Sequence, residues 1–190
     1  MTNLIPLLFQ KRHVLPKGKM PMRVAPGSQM EAFKHALNSD IGFGVCMIDD
    51  SKSSHCSQIG TRVTVEDLDT SKNDGALIVT LYAHENFGIK SLEQHSNGGI
   101  FAEFHPLPLW PEIKIDNDQQ LLADKLQIMF DKYPELAGLH QHKEFNNLSW
   151  LCQRWLEILP VPAQEKQALI NTPNCFNTCD YLMSMMLDPH

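Results

Sequence analysis

Hydrophobic and polar residues follow one pattern in the first 110 residues of the chain and another in the remainder. In the first part, short apolar runs stand between turn-forming residues, and several contain a proline. Proline lacks a backbone donor, so these runs suit edge or bent strands. One helical pattern interrupts them over residues 28–38, where Ser28 and Glu31 fit a capping box. With no strand–helix–strand rhythm, the pattern predicts an antiparallel, barrel-like β unit with one short helix.

The apolar period becomes helical after Pro111. Leu122 and Leu126 share one face, and Leu148, Leu151 and Trp155 share another. The stretch "HPLPLWPE" holds three prolines in eight residues, which is typical of a stiff connector. The fold class is therefore predicted as α+β, with a β-barrel subdomain over 1–111 and an α-helical bundle subdomain over 112–190.

Composition and charge narrow the class of partner. The 190 residues are 43% hydrophobic and 20% charged, so the chain can bury a core. The net charge of −6 argues against nucleic acid as the partner, because such binding depends on neutralising phosphates. The first thirty residues nevertheless hold no acid and five bases, which indicate either a solvated strand edge or, less favoured, an anion-binding face: Lys11, Arg12, Lys17, Lys19 and Arg23.

No apolar run approaches the length of a membrane-spanning helix, and "LIPLLF" is too short for the core of a signal peptide. The five cysteines are odd in number and show no framework spacing. Reduced thiols and a cytoplasmic location are therefore expected, with no membrane partner.

The chain lacks the common catalytic motifs, which predicts that it is not an enzyme. The chain has no phosphate-binding GxxxxGK[ST] loop, no GxSxG and no SxxK, so neither a catalytic group nor a cofactor is expected. Cys175 and Cys179 are four residues apart and share a helix face. A structural zinc site needs four ligands and no second pair stands nearby, so these thiols are expected to pack in the core.

Several segments occur in an order that is similar to a known family. "LIPLLF", "VLPKGKMPMRV", "FGVCMI", "IGTRVTVEDL", "DGALIVTLYAHENFGI" and "IFAEFHPLP" succeed one another as in the N-terminal, substrate-binding domain of Lon protease. The resemblance covers about residues 3–187. It is a divergent one, since Gln10 stands where the family often has proline and Ala25 where it has glutamate. It implies a PUA-like barrel followed by a helical subdomain.

The resemblance also implies a non-enzymatic module that binds unfolded or partner protein segments, without ATPase or protease parts. A strand edge or a groove at the connector could hold an extended peptide. The candidate peptide-binding residues are Met20, Met22, Leu107, Leu109 and Trp110. Ordinary packing between the subdomains is the competing explanation for all five.

Two other functions stay open on the sequence alone. PUA-like barrels include RNA-binding modules, so RNA binding is the alternative, favoured by the acid-free first thirty residues and opposed by the net charge. A small hydrolase or metalloenzyme is the third and weakest alternative.

Overall fold

The computed structural model describes residues 3–49, 56–96 and 98–187, and it divides into two compact units. The first unit runs to Pro108 and the second begins at Leu109. The sequence pattern had placed this boundary three residues later, after Pro111.

The described part of the first unit contains six strands and one helix. Buried and more exposed residues alternate along Lys19–Val24 and along parts of the longer strands, whereas Leu4–Gln10 and Phe43–Ile48 hold consecutive buried residues. The elements are β1 (Leu4–Gln10), β2 (Lys19–Val24), α1 (Ser28–Leu37), β3 (Phe43–Ile48), β4 (Cys56–Thr70), β5 (Leu77–Gln94) and β6 (Ile100–Pro106).

The strands form one mixed sheet in the order β2-β5-β4-β3-β1-β6, and β6 pairs additionally with β5. The prediction of a purely antiparallel arrangement was wrong, because β1 runs parallel to β3 through Leu7–Gln10. Parallel neighbours need a crossover of a dozen or more residues, which β2 and α1 supply here. The sheet is six-stranded and mixed, and the PUA-like barrel is not confirmed.

Helix α1 contributes Phe33 and Ala36 to the core of the first unit, against apolar residues of β2, β3, β4 and β5. The predicted capping box is wrong. Gly27 precedes the helix with φ 102°, a conformation that favours glycine, and it makes no side-chain cap. Ser28 is therefore already the first helical residue, one position too far along the helix to serve as the cap.

The second unit contains five helices among its described residues, as the period after Pro111 predicts, together with one isolated β-bridge between Lys114 and Asn147. Its core is a single cluster to which Leu122, Trp150 and Leu182 contribute from three different helices. None of the described helices is long and apolar enough to span a membrane. The helices are α2 (Gln120–Lys132), α3 (Pro134–Leu139), α4 (Leu148–Ile158), α5 (Ala163–Ile170) and α6 (Phe176–Leu187).

Candidate functional site

An apolar groove of about 300 Å³ lies in the first unit between β1, β2 and α1. A second hollow of about 360 Å³ near the end of α1 shares three lining residues with the groove, so the two adjoin. The three shared residues are Pro6, His35 and Phe101.

The groove follows the edges of two strands. Residues 6–10 of β1 and 22–24 of β2 line it in unbroken succession. Successive side chains of a strand point to opposite faces, so a run of consecutive lining residues places the strand edge at the groove. Leu7–Gln10 pair only with β3 among the described strands, and β2 pairs there only with β5. Both strands therefore present an edge without a partner strand in the described residues.

The surroundings of this groove are mainly apolar, with a few polar side chains that the fold already uses. Gln29 accepts a hydrogen bond from the backbone amide of Ala25 at 3.1 Å, which holds the start of α1. Arg23 forms an ion pair with Asp74. Apolar walls with few polar groups are typical of a site that recognises shape and apolar surface.

Met20 and Met22 lie together on β2, and both are buried in the core of the first unit, with 6% and 4% of their surface exposed. Their positions two residues apart on one strand predict this common side. Met22 also lines the groove. Met20 packs in the core and is not among the residues that line the groove.

The other three predicted residues lie around the boundary of the two units. Leu107 is half-buried, and its amide donates to the carbonyl oxygen of Asn86 at 2.9 Å. Leu109 is 59% exposed. Trp110 packs against the core of the second unit, and its indole nitrogen donates to the carbonyl oxygen of Thr172 at 2.8 Å. This hydrogen bond gives Trp110 a structural role in the second unit.

A separate cluster of polar and ionisable side chains lies on β4 and β5. Arg62 makes two hydrogen bonds to Glu85, at 2.6 and 2.9 Å, and a third to the carbonyl oxygen of Ile41. Burial and the neighbouring Arg62 lower the pKa of His84, whose ring lies 2.8 Å from the hydroxyl of Thr64. These contacts satisfy one another, as in a structural network.

In the part of the chain that the structure describes, no group of three or more His, Cys, Asp or Glu side chains is placed to hold a metal ion. The groove in the first unit is lined mainly by apolar side chains, as in sites that recognise apolar surface. The family model of the ATP-dependent protease La (LON) substrate-binding domain matches residues 4–188, and the chain belongs to this family. The resemblance inferred from the order of the motifs is confirmed.

Solved structures agree on the fold. The chain resembles the Lon N-terminal domain protein from Xanthomonas campestris, with a TM-score of 0.73 at 21% identity over 96% of this chain and 98% of that one. It also resembles the N-terminal domain of the Mycobacterium avium complex Lon protease, with a TM-score of 0.63 at 13% identity over 99% and 100% of the two chains. No curated protein gives a significant match.

Sequence reasoning missed the groove itself. The sequence holds part of the information: proline in both "LIPLLF" and "KMPMRV" indicates strands that have an edge without a partner strand. Which strands are neighbours depends on long-range pairing, and the parallel β1–β3 pair was not foreseen.

Proposed function

We propose that this chain is a protein-binding module that holds an extended, apolar segment of a protein substrate along the open edges of β1 and β2. Membership of the LON substrate-binding domain family supports the binding of protein substrates. The groove between the two strand edges is the observation that carries the location. The proposed binding involves no catalytic step. We also propose that it takes place in the cytoplasm.

Strand addition suits this groove physically. An extended peptide beside a strand edge satisfies its main-chain donors and acceptors, while every second side chain enters a pocket. Here Phe33, Leu8 and Met22 provide apolar walls for those side chains. Main-chain bonding tolerates many sequences, which a protein that recognises unfolded segments requires.

The decisive experiment measures the anisotropy of a fluorescent apolar peptide against the full chain and two matched variants. Ala32→Trp fills the groove from α1, and Lys34→Trp adds the same ring at an exposed position of the same helix that does not line the groove. We expect Ala32→Trp to weaken binding about tenfold or more, a loss of about 1.4 kcal/mol, and Lys34→Trp to bind as wild type.

A peptide N-methylated at alternate residues tests the strand-addition geometry, because methylation removes main-chain donors. We expect it to bind at least about tenfold more weakly than its unmethylated twin. Equal affinity of the two peptides would contradict strand addition.

Leu109→Ser tests the connector, where sequence reasoning had placed Leu107, Leu109 and Trp110 in a peptide site. Leu109 is exposed, so its replacement leaves the core intact. Loss of binding in Leu109→Ser with wild-type binding in Ala32→Trp would move the site to the connector. An absence of binding by the wild-type chain to any apolar peptide would refute the function itself.

A further inference from the structure

Three cysteine thiols from two distant parts of the sequence meet in the core of the second unit. Cys152 lies in α4, Cys175 stands directly before α6, and Cys179 lies in its first turn. Cys152 and Cys175 are fully buried and Cys179 is 5% exposed. The sulfur of Cys152 lies 3.9 Å from the carbonyl oxygen of Cys175, and all three side chains belong to one buried cluster.

The three thiols are not equivalent. Hydrogen bonding with the Cys175 and Cys179 thiols, reinforced by burial, raises the pKa of Cys152. The hydrogen bond from Cys152 lowers the pKa of Cys175 to about 7, against the effect of burial, and it lowers the pKa of Cys179 as well. Cys175 also caps the start of α6, since its carbonyl oxygen accepts from the amide of Cys179 at 2.8 Å. A thiol at a helix N-terminus is favoured as the thiolate.

We propose that this cluster is an oxidative modification site at which a peroxide links Cys175 to Cys152 by an intramolecular disulfide. The Cys175 thiolate attacks one oxygen of hydrogen peroxide and becomes a sulfenic acid, while hydroxide leaves. The Cys152 thiol then displaces the sulfenic oxygen, which departs with the proton of Cys152 as water. The two sulfurs lose two electrons in total, and the peroxide accepts them.

Cys175 is the better partner for Cys152 than Cys179 on two grounds. The Cys152 sulfur lies 3.9 Å from the carbonyl oxygen of Cys175, and no such contact joins it to the backbone of Cys179 in the described residues. Cys175 also precedes the helix, where the backbone has more freedom to meet disulfide geometry than it has inside α6. Cys179, with the only exposed surface of the three, marks the side from which a small oxidant enters.

The test is peptide mapping of the full chain, carrying Cys56→Ser, after exposure to hydrogen peroxide and alkylation of the remaining thiols. Trypsin cuts after Arg154 and Lys166 and thereby separates Cys152 from the other two, and chymotrypsin cuts after Phe176, between Cys175 and Cys179. We expect a linked Cys152–Cys175 peptide in the monomer. Cys46 is as fully buried, in the core of the first unit, but its cluster contains no other cysteine. It is therefore the internal control, which should remain a thiol and be alkylated only after unfolding.

Variants and pH give independent readouts. Cys179→Ser should retain the link, whereas Cys175→Ser should abolish it. The rate of linkage should rise as pH passes upward through about 7, because the thiolate fraction of Cys175 rises there. A link from Cys152 to Cys179, linkage that requires urea, or a pH-independent rate would overturn the proposal. If a variant fails to fold, peptide mapping of the chain with all three cysteines of the cluster still shows whether Cys152 is linked to Cys175.

Discussion

At the scale of single residues, the packing of Phe87 depends on two glycines of neighbouring strands. Phe87 is fully buried, and its ring packs edge-on against Phe104 at 5.3 Å between centroids. A Cβ atom at Gly60 would lie 2.4 Å from the ring, and one at Gly44 would lie 2.6 Å from it. Glycine is therefore required at both positions by close approach and not by backbone conformation.

We expect Gly60→Ala to lower the free energy of unfolding by about 1–3 kcal/mol, because the ring of Phe87 has no space to withdraw. Urea titration followed by tryptophan fluorescence or circular dichroism measures the change. Gly88→Ala is the matched control in the same unit, since the three atoms nearest to its Cβ all belong to the exposed side chain of His105, which can move away. Equal losses in the two variants would contradict the packing argument.

His84 should make folding sensitive to mild acid. Burial and the charge of Arg62 lower its pKa below the ordinary value of 6.5, so the folded chain resists a proton that the unfolded chain accepts. The sign follows: this contribution to stability is fully present above pH 6.5 and is lost as pH falls below it. His84→Gln should therefore lose less stability than wild type when unfolding is compared between about pH 7.5 and about pH 5.5. An identical pH dependence in both proteins would refute the assignment.

At the scale of elements, the side chain of Asn147 organises the start of α4. Its Oδ1 accepts from the amide of Ser149 at 3.2 Å and from that of Ile113 at 3.3 Å, while its amide donates to Glu144. The cap thus also holds the strand-like segment before α2 to the helix, through the bridge between Lys114 and Asn147.

Asn147→Ala should cost about 1–2 kcal/mol of unfolding free energy, at the upper end for a cap because two amides lose their acceptor. Asn146→Ala is the matched control, since the neighbouring side chain is exposed and its backbone carbonyl, which binds Ile115, is retained. Thermal unfolding of the two variants provides the comparison. A cost in Asn146→Ala as large as that in Asn147→Ala would show that the cap is not the cause.

Local sequence patterns predict where strands and helices form far better than they predict which elements become neighbours in the fold. The short apolar run "LIPLLF" and the helical spacing of Leu148, Leu151 and Trp155 depend on the chain within a few residues, and both segments form the element expected. The parallel β1–β3 pair depends on a crossover through β2 and α1, which no local pattern encodes. For the same reason, the sequence pointed to Cys175 and Cys179 but not to Cys152, which α4 brings beside them.

At the scale of the whole molecule, the basic first thirty residues acquire a different meaning from the pairing of strands. Lys19 of β2 lies 2.7 Å from Glu66 of β4, and Arg23 pairs with Asp74 in the turn before β5. Two of the five bases thus have acidic neighbours that come from a part of the chain with an excess of acids. The local charge that suggested an anion-binding face is reduced where the strands meet.

The chain should therefore show no salt-dependent affinity for RNA. Non-specific binding grows with the number of phosphates that cations neutralise. The net charge of −6 opposes such binding, and the pairing of Lys19 and Arg23 reduces what the first thirty residues can contribute to it. Filter binding of a single-stranded RNA at low and at high salt provides the measurement. The double variant Glu66→Gln/Asp74→Asn is the sensitive comparison, because it releases both cations and should gain weak binding that disappears as salt rises. Tight binding by the wild-type chain that weakens steeply with salt would instead establish nucleic acid as a partner and reopen the anion-binding role of the first thirty residues.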